Sequence, residues 1–346
     1  MKSGYLLLKL IVCCSCFLLS ACATGEPLPW RNSAINAVWP PPPNPPRITF
    51  LRDLKGPDDV LPGKGNLARF MEFVTGEGQT KIELESPYGV ASNGNSVIYV
   101  TDIAAGVVHR YDLAKRTVSY LTQAGNEPLI RPAGIAIDRE GNVYISDAGS
   151  AKVFKYDQNG EFLHELAAQF QRPAGIAINS RGEKFVVDVL AHKLKVFNVH
   201  DKFVREFPQA DSPEPLNLPS NVAIGRNDDV YVTDSMNFKV KVFDHAGTYK
   251  KSIGQIGDAP GSFARPKGVA VDSEDHVYIV DASHGNFQIF DRDGKLLLFV
   301  GKNGAGPGEF SLPSGIFIDG KDRIFVADTY NHRIQIFQYM TEGGTR

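Results

Sequence analysis

Six aspartates recur at one position of a repeated pattern and are the first candidates for chemistry. Each stands fifteen residues after a proline, as Asp147 does after Pro132. A single carboxylate at the end of an apolar strand can act as a general base, bind a metal ion or accept hydrogen bonds from the turn that follows. The six are Asp102, Asp147, Asp188, Asp234, Asp281 and Asp328.

Three histidines and a set of cations occupy neighbouring positions of the pattern. His192, His284 and His332 follow their aspartates by three or four residues. Three histidines can bind zinc with one position open; the alternative is that they are surface residues of a turn. Basic and aromatic residues flank the prolines: Arg131, Arg172, Arg265, Lys267 and Tyr88. They could hold an anionic or sugar-like ligand, or each arginine could pair with the aspartate of a neighbouring repeat.

The elements that position these residues are short strands. A repeat contains GIAI (134–137), a polar turn, VYISD (143–147), KVFKYD (152–157) and, after a turn that ends in glycine, a fourth strand. β-Branched residues and apolar–polar alternation indicate strands. The prolines at 87, 132, 173, 219, 266 and 313 lie 41 to 47 residues apart, a period typical of arrays. Four antiparallel strands repeated six times predict an all-β fold, a six-bladed β-propeller of four-stranded blades.

The repeats resemble those of the NHL-repeat family over about residues 87–340. ADTYNHRIQIF (327–337) is close to that family's typical repeat, and Pro-x-Gly-φ-Ala-φ-Asp followed by (V/I)-Y-(V/I)-x-D recurs elsewhere. The resemblance implies the propeller fold and leaves the activity open. NHL propellers include ligand binders, protein scaffolds, RNA readers and a few lyases, which use channel-facing His, Arg and Tyr around zinc.

In a propeller the repeated aspartates end the second strand of each blade. Strands lie about 4.8 Å apart, so opposite carboxylates are about 20 Å or more apart, whereas metal–oxygen bonds measure about 2.0–2.6 Å. We therefore expect the aspartates to bind backbone N–H groups of turns. Loops that enter the first strand and loops that leave the second emerge on one face. The arginines, Tyr88, Lys267 and the histidines are accordingly predicted to surround the mouth of the channel on that face.

The N-terminal strand RITFLRDL (47–54) has no blade of its own, and too few residues follow the sixth repeat to supply a fourth strand. We predict that this strand closes the last blade, which removes two exposed sheet edges. Between it and the first blade, Asn66 is predicted to cap a helix that ends at Gly76.

The first 22 residues have the layout of an export signal, with Lys2 and Lys9 before an apolar run. Leu19-Ser20-Ala21-Cys22 resembles the bacterial lipobox, which implies cleavage before Cys22 and its acylation; an uncleaved anchor helix is the alternative. All four cysteines lie in this segment, so the folded domain is expected to have no disulfide. The predicted domains are a signal peptide (1–21), a lipidated proline-rich linker (22–46), the propeller (47–340) and a tail (341–346).

The run PPPPNPP (40–46) predicts a semi-rigid, extended stalk, or a docking ligand for another protein. The net charge of −2 gives no indication of a nucleic-acid partner. We predict an exported lipoprotein, anchored to the bilayer through acylated Cys22 in the outer membrane and facing the periplasm. Its propeller is expected to bind a protein or small ligand without catalysis and without a cofactor. The alternative is a lyase or hydrolase of the streptogramin-lyase-like or amidating-lyase-like type, which would need calcium or zinc.

Overall fold

The computed structural model describes residues 26–63, 81–209 and 211–341. Three single-turn 3-10 helices, Pro57–Asp59, Ser235–Asn237 and Thr329–Asn331, accompany the strands of these ranges. In the same ranges no helix is long and apolar enough to cross a membrane. The predicted signal peptide, Cys22, the predicted helix between Asn66 and Gly76, and residues 342–346 lie outside the described residues.

The described strands form a six-bladed β-propeller, which confirms the predicted fold class. Blades 1 to 5 are four-stranded antiparallel sheets whose strands follow one another in chain order from the channel outward. The strands are Pro87–Ser92, Val97–Asp102, Val107–Asp112 and Thr117–Leu121 in blade 1; Pro132–Ile137, Val143–Asp147, Lys152–Tyr156 and Phe162–Glu165 in blade 2; Pro173–Ile178, Lys184–Asp188, Lys193–Phe197 and Phe203–Phe207 in blade 3; Pro219–Ile224, Val230–Asp234, Lys239–Phe243 and Tyr249–Ile253 in blade 4; Pro266–Val271, Val277–Asp281, Asn286–Phe290 and Leu296–Val300 in blade 5. A short hairpin, Gln123–Ala124 with Glu127–Pro128, lies between blades 1 and 2.

Blade 6 joins the two ends of the described chain, as predicted. Its inner strands are Ile316–Ile318, Arg323–Asp328 and Arg333–Tyr339, and its fourth strand is Ile48–Leu54 from the N-terminal side. Ile48 lies opposite Tyr339 in antiparallel register. The first strands of successive blades contact each other in order, and that of blade 6 contacts that of blade 1, so the ring is closed.

The proline run does not form the predicted stalk. It connects a short fifth strand of blade 6, Val38–Trp39, to Ile48–Leu54, and the Arg47 N–H donates to the Trp39 carbonyl at 2.7 Å. Upstream, Trp30 lies 3.6 Å from the guanidinium of Arg323 and packs edge-on against Phe325. An extended stalk would leave the apolar side chains between the prolines exposed to water. Their burial on the blades stabilises the packed arrangement instead.

The first strands approach each other closely around the channel. A Cβ placed at Gly134 would lie 2.0 Å from the carbonyl oxygen of Ala174 in the next blade. The Ser146 hydroxyl donates to that same carbonyl. Glycine is therefore required at this position, because a side chain would collide with the backbone of the next blade. The close approach of the blades in turn sets the width of the channel.

Candidate functional site

The repeated aspartates bind turns, and in doing so they position the residues in front of each blade. Asp147 is fully buried. Its carboxylate accepts the N–H groups of Ile130 at 2.6 Å, Arg131 at 3.0 Å, Gly149 at 2.8 Å and Ser150 at 3.1 Å. Every oxygen of this carboxylate is therefore engaged by backbone.

The other five aspartates are also fully buried and accept N–H groups from the segment that enters their own blade. Asp188 binds the N–H of Arg172, and Asp281 binds the N–H of Arg265. The three arginines are thus fixed at their backbones by aspartates, while their side chains remain available.

The structure brings the predicted cations together at one end of the channel. A cavity of about 410 Å³, called the mouth below, is lined by Arg131, Arg172, Arg265, Lys267 and Tyr88. The arginines are exposed, and Lys267 and Tyr88 are half-buried. Apolar side chains complete the lining: Ile103, Val189, Leu218, Met236 and Phe238.

Positive charge in the mouth is not balanced by carboxylates. Within the described ranges, no ion pair or side-chain hydrogen bond joins Arg131, Arg172, Arg265 or Lys267 to another residue. The pairing of arginines with aspartates of neighbouring blades is therefore not found there. Burial, together with the nearby guanidinium groups of Arg265 and Arg172, lowers the pKa of Lys267. Burial raises the pKa of Tyr88, against the opposing effect of the same two arginines.

The three histidines do not line the mouth. His192 Nδ1 accepts the N–H of Leu218 at 3.1 Å, which links blade 3 to the segment entering blade 4. His332 Nδ1 lies 2.5 Å from the Glu85 carbonyl and donates to it, which links blade 6 to blade 1. His284 lies 3.5 Å from its own blade's aspartate, Asp281.

The structure therefore keeps these histidines apart, each in its own blade. Among the described residues, no group of three or more His, Cys, Asp or Glu side chains is arranged to hold a metal ion.

Sequence reasoning missed two sets of residues. The side chains that follow the aspartates directly, Ile103, Ala148, Val189 and Ser235, face the mouth. The histidines lie two or three positions further along the same turns.

Asn221 is the second omission. It lines the channel at the position where the other five blades have Gly89, Gly134, Gly175, Gly268 and Gly315. The sequence itself indicated this difference, because PSNVAI (219–224) has asparagine where the other repeats have glycine two positions after the proline.

Below the mouth, the channel is lined by the first strands and has a volume of about 210 Å³. Tyr88, Ala133 and Ser220 line both cavities, so the mouth opens directly into the channel. Valine, isoleucine, alanine and glycine supply most of the channel wall. The site is thus a basic entrance above a channel that is lined by aliphatic side chains and by the free edges of the first strands.

Comparison with known proteins supports the fold. Residues 215–285 and 272–345 match a family model described as a 6-bladed beta-propeller. Residues 83–187 match the model of the SMP-30/Gluconolactonase/LRE-like region. A search of curated protein sequences finds no significant match.

Several solved structures have a similar architecture. A structural genomics protein of unknown function from Bacteroides thetaiotaomicron has 17% identity and a TM-score of 0.61, covering 74% of this chain and 70% of that one. Streptogramin B lyase has 13% identity and a TM-score of 0.57, covering 74% and 94%. A gluconolactonase from Xanthomonas campestris has 15% identity and a TM-score of 0.56, covering 76% and 90%. At these identities the similarity concerns the fold, and the chain is a six-bladed β-propeller.

Proposed function

We propose that this protein is a membrane-anchored binding module whose mouth holds an anionic ligand without catalysing its conversion. The observation that carries the proposal is the convergence of Arg172, Arg265 and Lys267 on one cavity, with no carboxylate paired to them in the described part of the chain. Like charges held close together are unfavourable, and a bound oxyanion relieves that repulsion through charge-assisted hydrogen bonds. Arginine forks suit carboxylates and phosphates alike.

The fold supports a tethered arrangement in which the mouth faces away from the bilayer. We propose that Cys22 is acylated and that the protein is an NHL-type lipoprotein of the outer membrane, facing the periplasm. The Leu28 N–H donates to the Leu113 carbonyl at 2.9 Å, and the Leu113 N–H donates to Ser96. Leu113 directly follows a third strand and Ser96 lies between a first and a second strand, so both are on the face opposite the mouth.

Leu28 is six positions after Cys22, so the two residues are at most about 20 Å apart. A lipid at Cys22 would therefore hold the propeller close to the membrane by the face that lacks the cations. This geometry supports a mouth that remains accessible to ligands or partner proteins from the periplasm.

A charge-matched experiment tests the binding proposal with inorganic phosphate as the probe. The variant Arg131→Glu/Arg172→Glu/Arg265→Glu replaces three positive charges of the mouth by negative ones. The control, Lys115→Glu/Lys202→Glu/Lys295→Glu, makes the same change in net charge in exposed turns between third and fourth strands, on the opposite face. At constant ionic strength, phosphate at ten times its dissociation constant should stabilise wild type and the control by about 1.4 kcal/mol. The mouth variant should gain nothing. Equal stabilisation of all three proteins would contradict the proposal.

Anchoring is tested by Cys22→Ser, with Cys16→Ser as the matched control. We expect the first change to move the protein out of the membrane fraction and to abolish incorporation of labelled palmitate. The control should behave as wild type. Unchanged membrane association of the Cys22 variant would refute lipidation at this residue.

A further inference from the structure

The ligand site extends beyond the cations of the mouth into the channel. Its walls change from charged to largely aliphatic within two residues along the first strands. Lys267 lines the mouth and Ser220 lines both parts, whereas Val222, Val269 and Ile176 line only the channel below. A hydrated inorganic anion would use only the upper part of this site. The lower part offers apolar surface that a ligand can bury.

The channel is large enough for an organic group. A cavity of about 150 Å³ lined by aliphatic side chains is known to stay dry and to bind benzene. The channel here is larger, at about 210 Å³, which corresponds to a chain of roughly six to eight carbon atoms on the same scale. Aliphatic side chains supply the larger part of its wall, and the free edges of the first strands supply the rest.

One polar side chain lies at the boundary between the two parts. Asn221 Oδ1 accepts the N–H of Val222 at 2.7 Å, which orients the amide. No described residue accepts a hydrogen bond from Asn221 Nδ2. Asn221 follows Ser220 directly, so this free donor stands just below the cations, where it can bind the head of a ligand from the channel side.

We propose that the ligand is an amphipathic organic oxyanion. Its carboxylate or phosphate head lies among Arg172, Arg265, Lys267 and Asn221, and its unbranched apolar chain extends down the channel between the first strands. The inference rests on the proposed function, because it uses the same mouth. It adds the chemical class of the ligand and a role for the channel, neither of which follows from the cations alone.

The test is a titration calorimetry series on the full chain in a non-ionic detergent, with protein-free detergent as the blank. The ligands are acetate, butyrate, hexanoate and octanoate. Each methylene buried in the channel should tighten binding about fourfold until the channel is filled. A parallel series of n-alkyl phosphates identifies the preferred head. Octanol and octylammonium, which have the same chain without the anion, should bind at least about 100-fold more weakly than octanoate.

Two variants separate the head site from the chain site. Ala177→Phe places a ring in the channel, away from the residues that line the mouth, and should remove the dependence on chain length, while phosphate still binds. Ala246→Phe, in an exposed turn, is the control and should leave the series unchanged. Asn221→Gly restores the residue type of the other five blades. It should weaken every member of the series by about five- to tenfold and leave the gain per methylene intact.

The outcomes distinguish this inference from the proposed function. If phosphate binds but acetate and octanoate have the same affinity in wild type, the channel is not a ligand site and the inference is wrong, while the anion-binding mouth stands. If neither phosphate nor any carboxylate binds, both are wrong. Octanol that binds as tightly as octanoate would also overturn the inference, because the head would then contribute nothing.

Discussion

Replacing Asp147 by asparagine should destabilise the propeller although the side chain hardly changes in size. The amide oxygen can keep the three N–H groups that bind Oδ1, those of Arg131, Gly149 and Ser150. The amide nitrogen must then face the N–H of Ile130, whose nitrogen lies 2.6 Å from Oδ2. A donor would thus oppose a donor at a buried position, and the remaining bonds would lose their charge assistance.

Hydrogen bonds to charged groups contribute about 1.5–3 kcal/mol each. Asp147→Asn loses one such bond and weakens the other three. We therefore expect it to lower the free energy of unfolding by about 2–3 kcal/mol. Asp147→Ala leaves all four donors without the carboxylate and should lower it by about 4–5 kcal/mol. The expected order is therefore wild type, then asparagine, then alanine.

Urea unfolding of the full chain at pH 7, followed by far-ultraviolet circular dichroism, measures these differences. Asp157→Asn is the matched control, because Asp157 also accepts turn N–H groups but lies in an exposed turn. We expect a smaller shift of its midpoint than for Asp147→Asn. An Asp147→Asn protein within about 0.5 kcal/mol of wild type would refute the assignment of this carboxylate to the turn.

Three further predictions concern stability. Gly134→Ala should cost about 2–3 kcal/mol of unfolding free energy because the new Cβ meets a carbonyl of the next blade, whereas Gly320→Ala, in open space, should be neutral in the same urea assay. Asp102 has its pKa raised by burial, but a buried imidazole 3.7 Å away and backbone N–H donors more than offset this effect, so that its pKa is lowered to about 2 overall. Its contribution of about 2 kcal/mol should be present above pH 4 and lost as pH falls from about 4 to 2, and Asp102→Asn should remove that part of the acid dependence. Trp30→Ala should lower the unfolding free energy by about 1–3 kcal/mol through loss of the contacts with Arg323 and the blade; an unchanged midpoint would mean that the N-terminal segment does not stabilise blade 6.

The propeller could be predicted because its information is repeated. One blade read alone leaves Asp147 as a possible general base, but six copies at the same spacing identify it as part of the scaffold. The closure of blade 6 followed from counting strands, since one strand stood without a blade and one blade lacked a strand. Such deductions depend on local patterns and on chain length, both of which the sequence contains directly.

The N-terminal segment could not be predicted in the same way. A run of prolines favours an extended conformation in isolation, and nothing local indicates that Trp30 will lie on Arg323 or that Val38 will pair with the edge strand. These contacts join residues far apart in the chain. The interspersed tryptophans were the available sign that the segment has an apolar surface to bury.

The candidate site was predicted only in part. The positions of Arg131, Arg172 and Arg265 on the mouth follow from the repeat, because each precedes a first strand. The histidines follow the aspartates on the same turns, yet His192 and His332 contact the segment that enters the next blade, and His284 lies against its own blade's Asp281. Whether an arginine pairs with a carboxylate depends on the distances between blades, which no single repeat encodes.

A crystal structure of the full chain grown with octanoate would test the central claim most directly. We predict that the carboxylate lies within hydrogen-bond distance of Arg172, Arg265 or Lys267 and that its chain runs between the first strands. The account would be contradicted if octanoate bound elsewhere while the mouth held no anion. It would also be contradicted if carboxylates of the protein itself paired with these three cations.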